Sequence, residues 1–206
     1  MLPDNALILK CPHCEGEKPV MNLLSGNTCG AVYWSDNKMV APMLPEVSVV
    51  QKCPHCGKYY IMSEERISRE GDDWSFELGT LTFKEIKEAF DQLSAEGFSN
   101  TAEEAQVRFL LHHSYNDCFY REPTELTPDD NDKLLFKQNA LWLIENSIAD
   151  DVMRAEFYRE IGEMDTSRKI LEETFPTDDL LKYIKNEIVR RIEQNDNAVF
   201  KLSDEE

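Results

Sequence analysis

The sequence lacks the patterns that would indicate a common enzymatic activity. It has eight glycines in 206 residues, and none belongs to a Gly-rich phosphate-binding loop. The serine-nucleophile pattern G-x-S-x-G and the metalloprotease pattern H-E-x-x-H are also absent. We therefore predict that the protein is not an enzyme, and we assign neither a catalytic residue nor a site for an organic cofactor.

Long apolar runs are missing as well. No stretch approaches the roughly 20 apolar residues that a membrane-spanning helix needs. The first ten residues, MLPDNALILK, carry an acid at Asp4 and too short an apolar run for a secretory signal. We expect no membrane partner, a cytoplasmic location and reduced cysteines.

Basic residues are scarce. The chain has 22 lysines and arginines against 40 acidic residues, which gives a net charge of −18. Because so acidic a surface repels phosphate backbones, we expect no nucleic-acid partner. The first 62 residues carry five lysines and five acids, so the whole excess falls after them. This contrast predicts two regions with a boundary near Ser63.

Four of the six cysteines stand in two copies of the sequence C-P-H-C. A tetrahedral thiolate site needs two such pairs, since each pair supplies two sulfurs on one tight turn. We predict one structural metal site, with zinc favoured over iron, whose ligands are Cys11, Cys14, Cys53 and Cys56. A closed site of four cysteines leaves no coordination position for water, which favours a structural role.

The second pair is followed directly by Gly57, which accepts the positive φ that such a turn requires. In the first pair Glu15 takes that place, so we predict a less regular turn there. The segment CPHCGKYY resembles the knuckle of zinc ribbons and rubredoxins, and that resemblance implies a zinc site or an iron centre with the same four ligands. We expect His13 and His55 to face solvent, and Cys29 to be buried in a strand.

A C-x-x-C motif is also the active site of thioredoxin-like disulfide oxidoreductases, where it opens a long helix. Here the two motifs are followed by Glu-Gly-Glu-Lys-Pro and by Gly-Lys-Tyr-Tyr-Ile, and neither sequence opens a helix. We therefore prefer a shared metal ion. A thiol-disulfide oxidoreductase, or a rubredoxin-like electron-transfer protein, remains the alternative.

The 38 residues between the two pairs exceed the interval of a compact zinc ribbon. We predict that they contain strands joined by a hairpin turn at 35–38, and that one small antiparallel sheet brings both turns to one end. The predicted strands are 19–23, 28–34, 39–43, 48–52 and 59–62.

From Thr82 onward the apolar residues recur at helical spacing. Capping boxes at Thr82 with Glu85 and at Thr101 with Glu104, and Thr127 before Pro128, predict three helix starts. The predicted helices are 82–96, 102–120, 128–146, 151–161, 166–174 and 178–194.

The stretch from Ala155 to Leu171 resembles the inner turn of a tetratricopeptide repeat, which implies stacked helical hairpins and a protein or peptide partner. A pair of zinc knuckles followed by such helices resembles a group of uncharacterised bacterial proteins. The expected fold is α+β: a zinc-ribbon-like domain at 1–62, a linker at 63–81, tetratricopeptide-like helices at 82–194 and a frayed acidic tail at 195–206. The resulting hypothesis is a zinc-binding scaffold or adaptor.

Other candidate groups have simpler explanations. Cys118 lies five and six residues from His113 and His112, and those helical spacings put the thiol and the imidazoles on different faces. We expect packing or surface roles for both histidines. Four acid pairs occur, and three of them stand at predicted helix starts, where Asp caps backbone amides. The pairs are Asp72-Asp73, Asp129-Asp130, Asp150-Asp151 and Asp178-Asp179.

Overall fold

The structure, a computed structural model, describes residues 2–71, 80–121 and 125–202. Within these ranges the chain is α+β, with small antiparallel sheets at the N-terminus followed by six α-helices. It forms two compact units. The first unit runs to Ala31 and resumes over Val40–Leu110, and the second consists of Val32–Met39 and the chain from Leu111 onward. This division differs from the charge boundary near Ser63, because the first unit continues to Leu110 and the eight-residue segment Val32–Met39 belongs to the second unit.

The strands form three sheets rather than the single sheet predicted. The first sheet has the order β2-β1-β7, the second pairs β5 with β6, and the third has the order β4-β3-β8. The strands are β1 (Leu2–Lys10), β2 (Glu17–Ser25), β3 (Val32–Trp34), β4 (Met39–Val40), β5 (Val50–Lys52), β6 (Tyr59–Ile61), β7 (Ile67–Glu70) and β8 (Lys201–Leu202). The prediction of one sheet is therefore wrong, although the hairpin turn at 35–38 between β3 and β4 is confirmed.

Strand β1 was missed because its sequence begins with the turn-forming residues Pro3, Asp4 and Asn5. The structure accommodates them with irregularities in the pairing to β2, between Leu2 and Pro3 and after Asp4. The pairing to β2 is regular from Leu7 to Lys10, whereas the pairing to β7 shifts between Ile8 and Leu9. Leu9 is buried in an apolar cluster of the first unit. The buried members of that cluster are Leu9, Cys11, Val20, Cys53 and Tyr60.

The first unit also contains helix α1 (Phe83–Glu96), which begins and ends as predicted. Thr82 and Glu85 form the predicted capping box, and Gly97 ends the helix with a φ of 85°. Helix α1 is joined to β6 by polar contacts: the Tyr59 hydroxyl donates to Glu88 over 3.0 Å, and the Gln92 amide donates to the Tyr59 carbonyl over 2.9 Å.

Helix α2 (Thr101–Asn116) continues into a five-residue π-helical segment, Asp117–Arg121. The predicted capping box at Thr101 is wrong. Asn100 caps the helix instead, because its side chain accepts the hydrogen bond from the Glu103 amide. The remaining helices are α3 (Asp130–Asn146), α4 (Asp151–Glu160), α5 (Met164–Glu173) and α6 (Asp179–Glu193).

Three of the four acid pairs cap helices, as predicted. Asp129, Asp150 and Asp178 each accept a hydrogen bond from a backbone amide three residues later, at the starts of α3, α4 and α6. The cap at Asp129 corrects the predicted start at Thr127 and Pro128. The pair Asp72-Asp73 lies outside the described residues.

Helices α4 and α5 form a helical hairpin. The small residues Ala155 and Ser167 are fully buried, and the Ser167 hydroxyl donates to the Ala155 carbonyl over 2.6 Å. Gly162 has a φ of 79° and follows the end of α4. The apolar core around this hairpin is Val152, Ala155, Leu171, Ile184, Ile188, Ile192 and Phe200.

The segment after α6 is ordered where it was expected to fray. Val199 and Phe200 are buried, and β8 pairs with β3 through Tyr33 with Leu202 and Trp34 with Lys201. The expectation is wrong because these two apolar residues fill the second unit's core, which the acidic composition of the segment conceals. No helix within the described ranges is long and apolar enough to cross a membrane.

Candidate metal centre

The two C-P-H-C motifs form the same hairpin loop. Cys11–Gly16 connects β1 to β2, and the equivalent loop from Cys53 connects β5 to β6. The Cys11 amide donates to the Gly16 carbonyl over 2.9 Å, and the Cys53 amide donates to the Lys58 carbonyl over 2.9 Å. The amides of Glu15 and Gly57 complete the turns by donating back to the carbonyls of the leading cysteines. One local geometry therefore presents all four cysteines.

Glu15 adopts the left-handed backbone conformation that Gly57 adopts in the other loop. Their φ angles are 59° and 74°. The prediction of a less regular first turn is wrong, because Glu15 accepts the unfavourable φ and keeps the hydrogen bonds intact. This conformation costs a residue with a side chain about 1 kcal/mol, whereas glycine adopts it without that cost.

We expect Glu15→Gly to stabilise the first unit by about 0.5–1 kcal/mol, because it removes this backbone cost without changing a ligand. The matched change Gly57→Ala should destabilise the same unit by about 1 kcal/mol. Urea unfolding of the metal-loaded protein measures both free energies. Two shifts of the same sign would contradict the equivalence of the loops.

The four sulfurs converge on one point. Cys11 Sγ lies 3.7 Å from Cys56 Sγ, Cys14 Sγ lies 3.6 Å from Cys53 Sγ, and all four sulfurs lie within 4.8 Å of one another. Four sulfurs at a zinc–sulfur distance of about 2.3 Å in a tetrahedron are roughly 3.8 Å apart. The donor set and its spacing therefore fit a metal ion that prefers tetrahedral thiolate coordination.

Backbone amides point at the buried sulfur of each motif. The His13 amide donates to Cys11 Sγ and the His55 amide donates to Cys53 Sγ, each over 3.4 Å. Burial opposes ionisation of Cys53, but hydrogen bonds from the backbone of Cys56 and His55 and from neighbouring thiols lower its pKa to about 6. Amide donors of this kind stabilise thiolates.

The pKa values of Cys14 and Cys11 move in the opposite direction, upward. The Gly16 amide favours the Cys14 thiolate, but desolvation and the adjacent thiols outweigh it and raise the pKa of Cys14 to about 12. Burial likewise raises the pKa of Cys11. A bound divalent cation offsets the repulsion among four thiolates, so the cluster has the chemistry of a site that exchanges protons for a metal ion.

The two histidines of the motifs connect the halves of the site without belonging to its donor set. His13 Nε2 lies 3.1 Å from the Tyr59 carbonyl, and His55 Nε2 lies 3.0 Å from the Glu17 carbonyl. Each ring thus reaches the strand that follows the other motif. The expectation that both simply face solvent is corrected. The residues are exposed, but Nε2 of each ring lies within hydrogen-bond distance of a backbone carbonyl.

Gly16 makes room for the His55 ring. A Cβ at position 16 would lie 2.3 Å from His55 Cδ2, so a side chain there would displace the imidazole. This close approach explains why a glycine follows Glu15 in a turn whose positive φ falls on Glu15 itself. The two glycines near the motifs therefore serve different purposes.

The remaining cysteines lie outside the cluster. Cys29 is exposed in a turn where its amide donates to Asn27 Oδ1, so the prediction that it is buried in a strand is wrong. Cys118 is partly buried in the π-helical segment. His112 is fully buried beside Glu160, and His113 Nε2 lies 3.1 Å from the Asp36 carbonyl. The predicted packing role is confirmed for His112.

No family model matches this chain, and the comparisons with curated proteins and with solved structures also give no match.

Proposed function

We propose that the protein is a zinc-binding, non-enzymatic adaptor whose first unit is stabilised by a structural site of four cysteines. The observation that carries this proposal is the convergence of Cys11, Cys14, Cys53 and Cys56 at tetrahedral spacing. In the described residues, one cluster of buried side chains surrounds this point, in which Leu9, Val20 and Tyr60 pack with Cys11 and Cys53. A structural zinc ion can contribute roughly 10 kcal/mol or more to the folding of such a module.

The loop geometry supports a metal site over a redox centre. Each motif lies in a hairpin between two strands, whereas the C-x-x-C of thioredoxin-like oxidoreductases opens a helix. The sulfur contacts of 3.7 and 3.6 Å, from Cys11 to Cys56 and from Cys14 to Cys53, each join the two motifs. Redox chemistry would require pairing within each C-P-H-C.

Zinc is proposed over iron because it is the usual ion of structural four-cysteine sites. Iron would use the same ligands and geometry. The absorption spectrum of freshly purified protein separates the two ions: the zinc form is colourless, while a ferric four-thiolate centre absorbs strongly in the visible range.

We infer that the second unit carries the adaptor function and docks a basic protein or peptide segment. Two large apolar side chains stand close together in sequence and reach into solvent: Phe175 is 82% exposed and Leu180 is 57% exposed. The second unit has an excess of acids, since residues 111–206 carry 23 acids and 12 lysines and arginines. An apolar pair within an acidic region favours a partner segment that combines basic and apolar residues.

We expect Phe175→Ala to weaken retention of such a partner at least tenfold without changing the fold, because the ring is not part of the core. The measurement is affinity capture from cell extract followed by binding of the identified partner at two salt concentrations. Leu24→Ala is the matched control, since Leu24 is 63% exposed in the first unit. Equal retention by both variants, or binding that is insensitive to salt, would contradict the assignment.

A further inference from the structure

The second unit contains a buried network of charged side chains that no sequence motif predicts. Five carboxyl and guanidinium side chains in it are 5% exposed or less, beside the buried imidazole of His112. They come from the turn between β3 and β4, from the π-helical segment and from α4. The five are Asp36, Arg121, Glu156, Arg159 and Glu160.

Two of the three acids are matched by an arginine. Arg121 donates two hydrogen bonds to Asp36, over 3.2 and 2.5 Å, and Arg159 donates two to Glu156, over 2.8 and 2.5 Å. Arg159 also donates to the carbonyls of Asp196 and Ala198, which fixes the chain that leads to β8. Both cations are therefore committed to bidentate pairs, which are the strongest ion-pair geometry in proteins.

Glu160 is the third acid, and the described residues supply it with no cation in contact. Its Oε2 accepts a hydrogen bond from Asn116 Nδ2 over 3.0 Å and lies 2.8 Å from His112 Nε2. Its Oε1, like His112 Nδ1, is buried without a hydrogen-bond partner in the described part of the chain. Asn116 Nδ2 also donates to Asp36, so Glu160 and the segment Val32–Met39 share one amide.

The partner imidazole is poorly placed to carry a charge. His112 is stacked between Phe136 and Phe157, with ring centroids 4.5 and 4.3 Å away. Burial lowers the pKa of His112 to about 4. Burial, with the charges of Glu156 and Asp36, raises the pKa of Glu160 well above its ordinary value, against the opposing charge of Arg159.

The remaining ionisable groups around the pair do not supply a free positive charge for Glu160. They lie on the β3–β4 turn, on α2, on the π-helical segment, on α4 and after α6. They are Asp36, His113, Arg121, Glu156, Arg159 and Asp196. Because the arginines are matched by acids, an ionised Glu160 would leave one uncompensated negative charge in the interior, which is strongly unfavourable.

We propose that Glu160 and His112 form a proton latch in the second unit, in which the folded pair holds one proton, on the carboxyl, and opening of the unit at neutral or higher pH releases it. The latch connects α2 and α4, and through Asn116 it extends to the inserted segment Val32–Met39. It shares no residue with the cluster of four cysteines. The species that the pair binds and releases is a proton.

The direction of the pH effect follows from the protons bound in each state. In the unfolded chain the carboxyl titrates near 4.3 and the imidazole near 6.5, so both states hold one proton between about pH 5 and 6. Above about pH 7 the unfolded pair holds none while the folded pair keeps one, so stability falls as pH rises. Below about pH 5 the unfolded pair gains a second proton before the folded pair does, and stability falls again.

The test is the pH dependence of opening in the second unit, measured by native-state hydrogen exchange of the full chain at pH 6, 7 and 8. Relative to Glu160→Gln, the wild-type opening constant should rise about tenfold from pH 7 to pH 8, which is the linkage of one proton. Glutamine keeps the volume and polar contacts of Glu160 but cannot ionise. Glu173 is exposed, so Glu173→Gln should retain the wild-type dependence of the opening constant on pH. Equal slopes for wild type and Glu160→Gln would overturn the proposal.

A second measurement needs no variant. In wild-type protein labelled with ¹³C at the glutamate side-chain carboxyl, we expect one carboxyl signal to remain protonated at pH 7. If every glutamate carboxyl in the folded protein titrates below pH 6, the latch does not exist. This result holds whether or not Glu160→Gln folds.

Discussion

Replacing Cys53 by serine is expected to release the metal ion and unfold the first unit at ordinary temperatures. Cys53 is 1% exposed, its sulfur accepts the His55 amide, and it lies in the core beside Leu9 and Tyr60. Losing one of four thiolates removes most of the roughly 10 kcal/mol that a structural zinc site contributes. Metal content per chain, together with hydrogen exchange of β1, β5 and β6, measures the effect.

Cys29→Ser is the matched control, because Cys29 belongs to the same unit but is exposed and lies outside the cluster. This variant should bind metal and unfold like the wild type, within about 0.5 kcal/mol. A Cys53→Ser protein that keeps a full complement of metal and a protected first unit would show that the four sulfurs do not act as one site.

Asp36→Ala is expected to destabilise the second unit by about 3–5 kcal/mol. Asp36 is fully buried and accepts hydrogen bonds from Arg121 and Asn116, and Arg121 lowers the pKa of its carboxyl to about 2 despite the opposing effect of burial. Removing one partner of a buried pair leaves the other charge in the interior without its counterion. Urea unfolding followed by tryptophan fluorescence, to which Trp34 beside Arg121 contributes, measures the loss.

Acid unfolding provides a second readout of the same pair. Because the folded pKa of Asp36 is depressed, its contribution to stability is present above the unfolded value near 4 and is lost as pH falls toward about 2. Lys182→Ala is the control, since the Lys182–Asp179 pair is exposed and should contribute less than about 1 kcal/mol. A loss below about 1 kcal/mol in Asp36→Ala would show that the interior relaxes around Arg121.

The clustering of the four cysteines was predictable because its cause is local. A C-x-x-C turn fixes two sulfurs within a few residues, and two copies of it indicate a shared ion regardless of the chain between them. The helix caps at Thr82, Asp150 and Asp178 were predictable for the same reason, since a cap depends on three or four consecutive residues.

The insertion of Val32–Met39 into the second unit was not predictable from local patterns. Its hairpin turn is visible in the sequence, but its partners are Asn116, Arg121 and Phe200, which lie 80 or more residues away. In the sequence Asp36 is an ordinary turn residue. It is the buried counterion of Arg121 only because of long-range packing. The burial of Phe200 was hidden in the same way by the acidic residues that follow it.

The most direct test of the metal assignment is zinc content per chain in protein purified without a metal-affinity tag, with reactive thiols counted before and after chelation. We expect one zinc ion per chain, and four further thiols that react with an alkylating agent only after the ion is removed. Those thiols should map to Cys11, Cys14, Cys53 and Cys56. Metal-free protein with disulfides between Cys11 and Cys14 and between Cys53 and Cys56 would contradict the structural site and make each motif a redox centre.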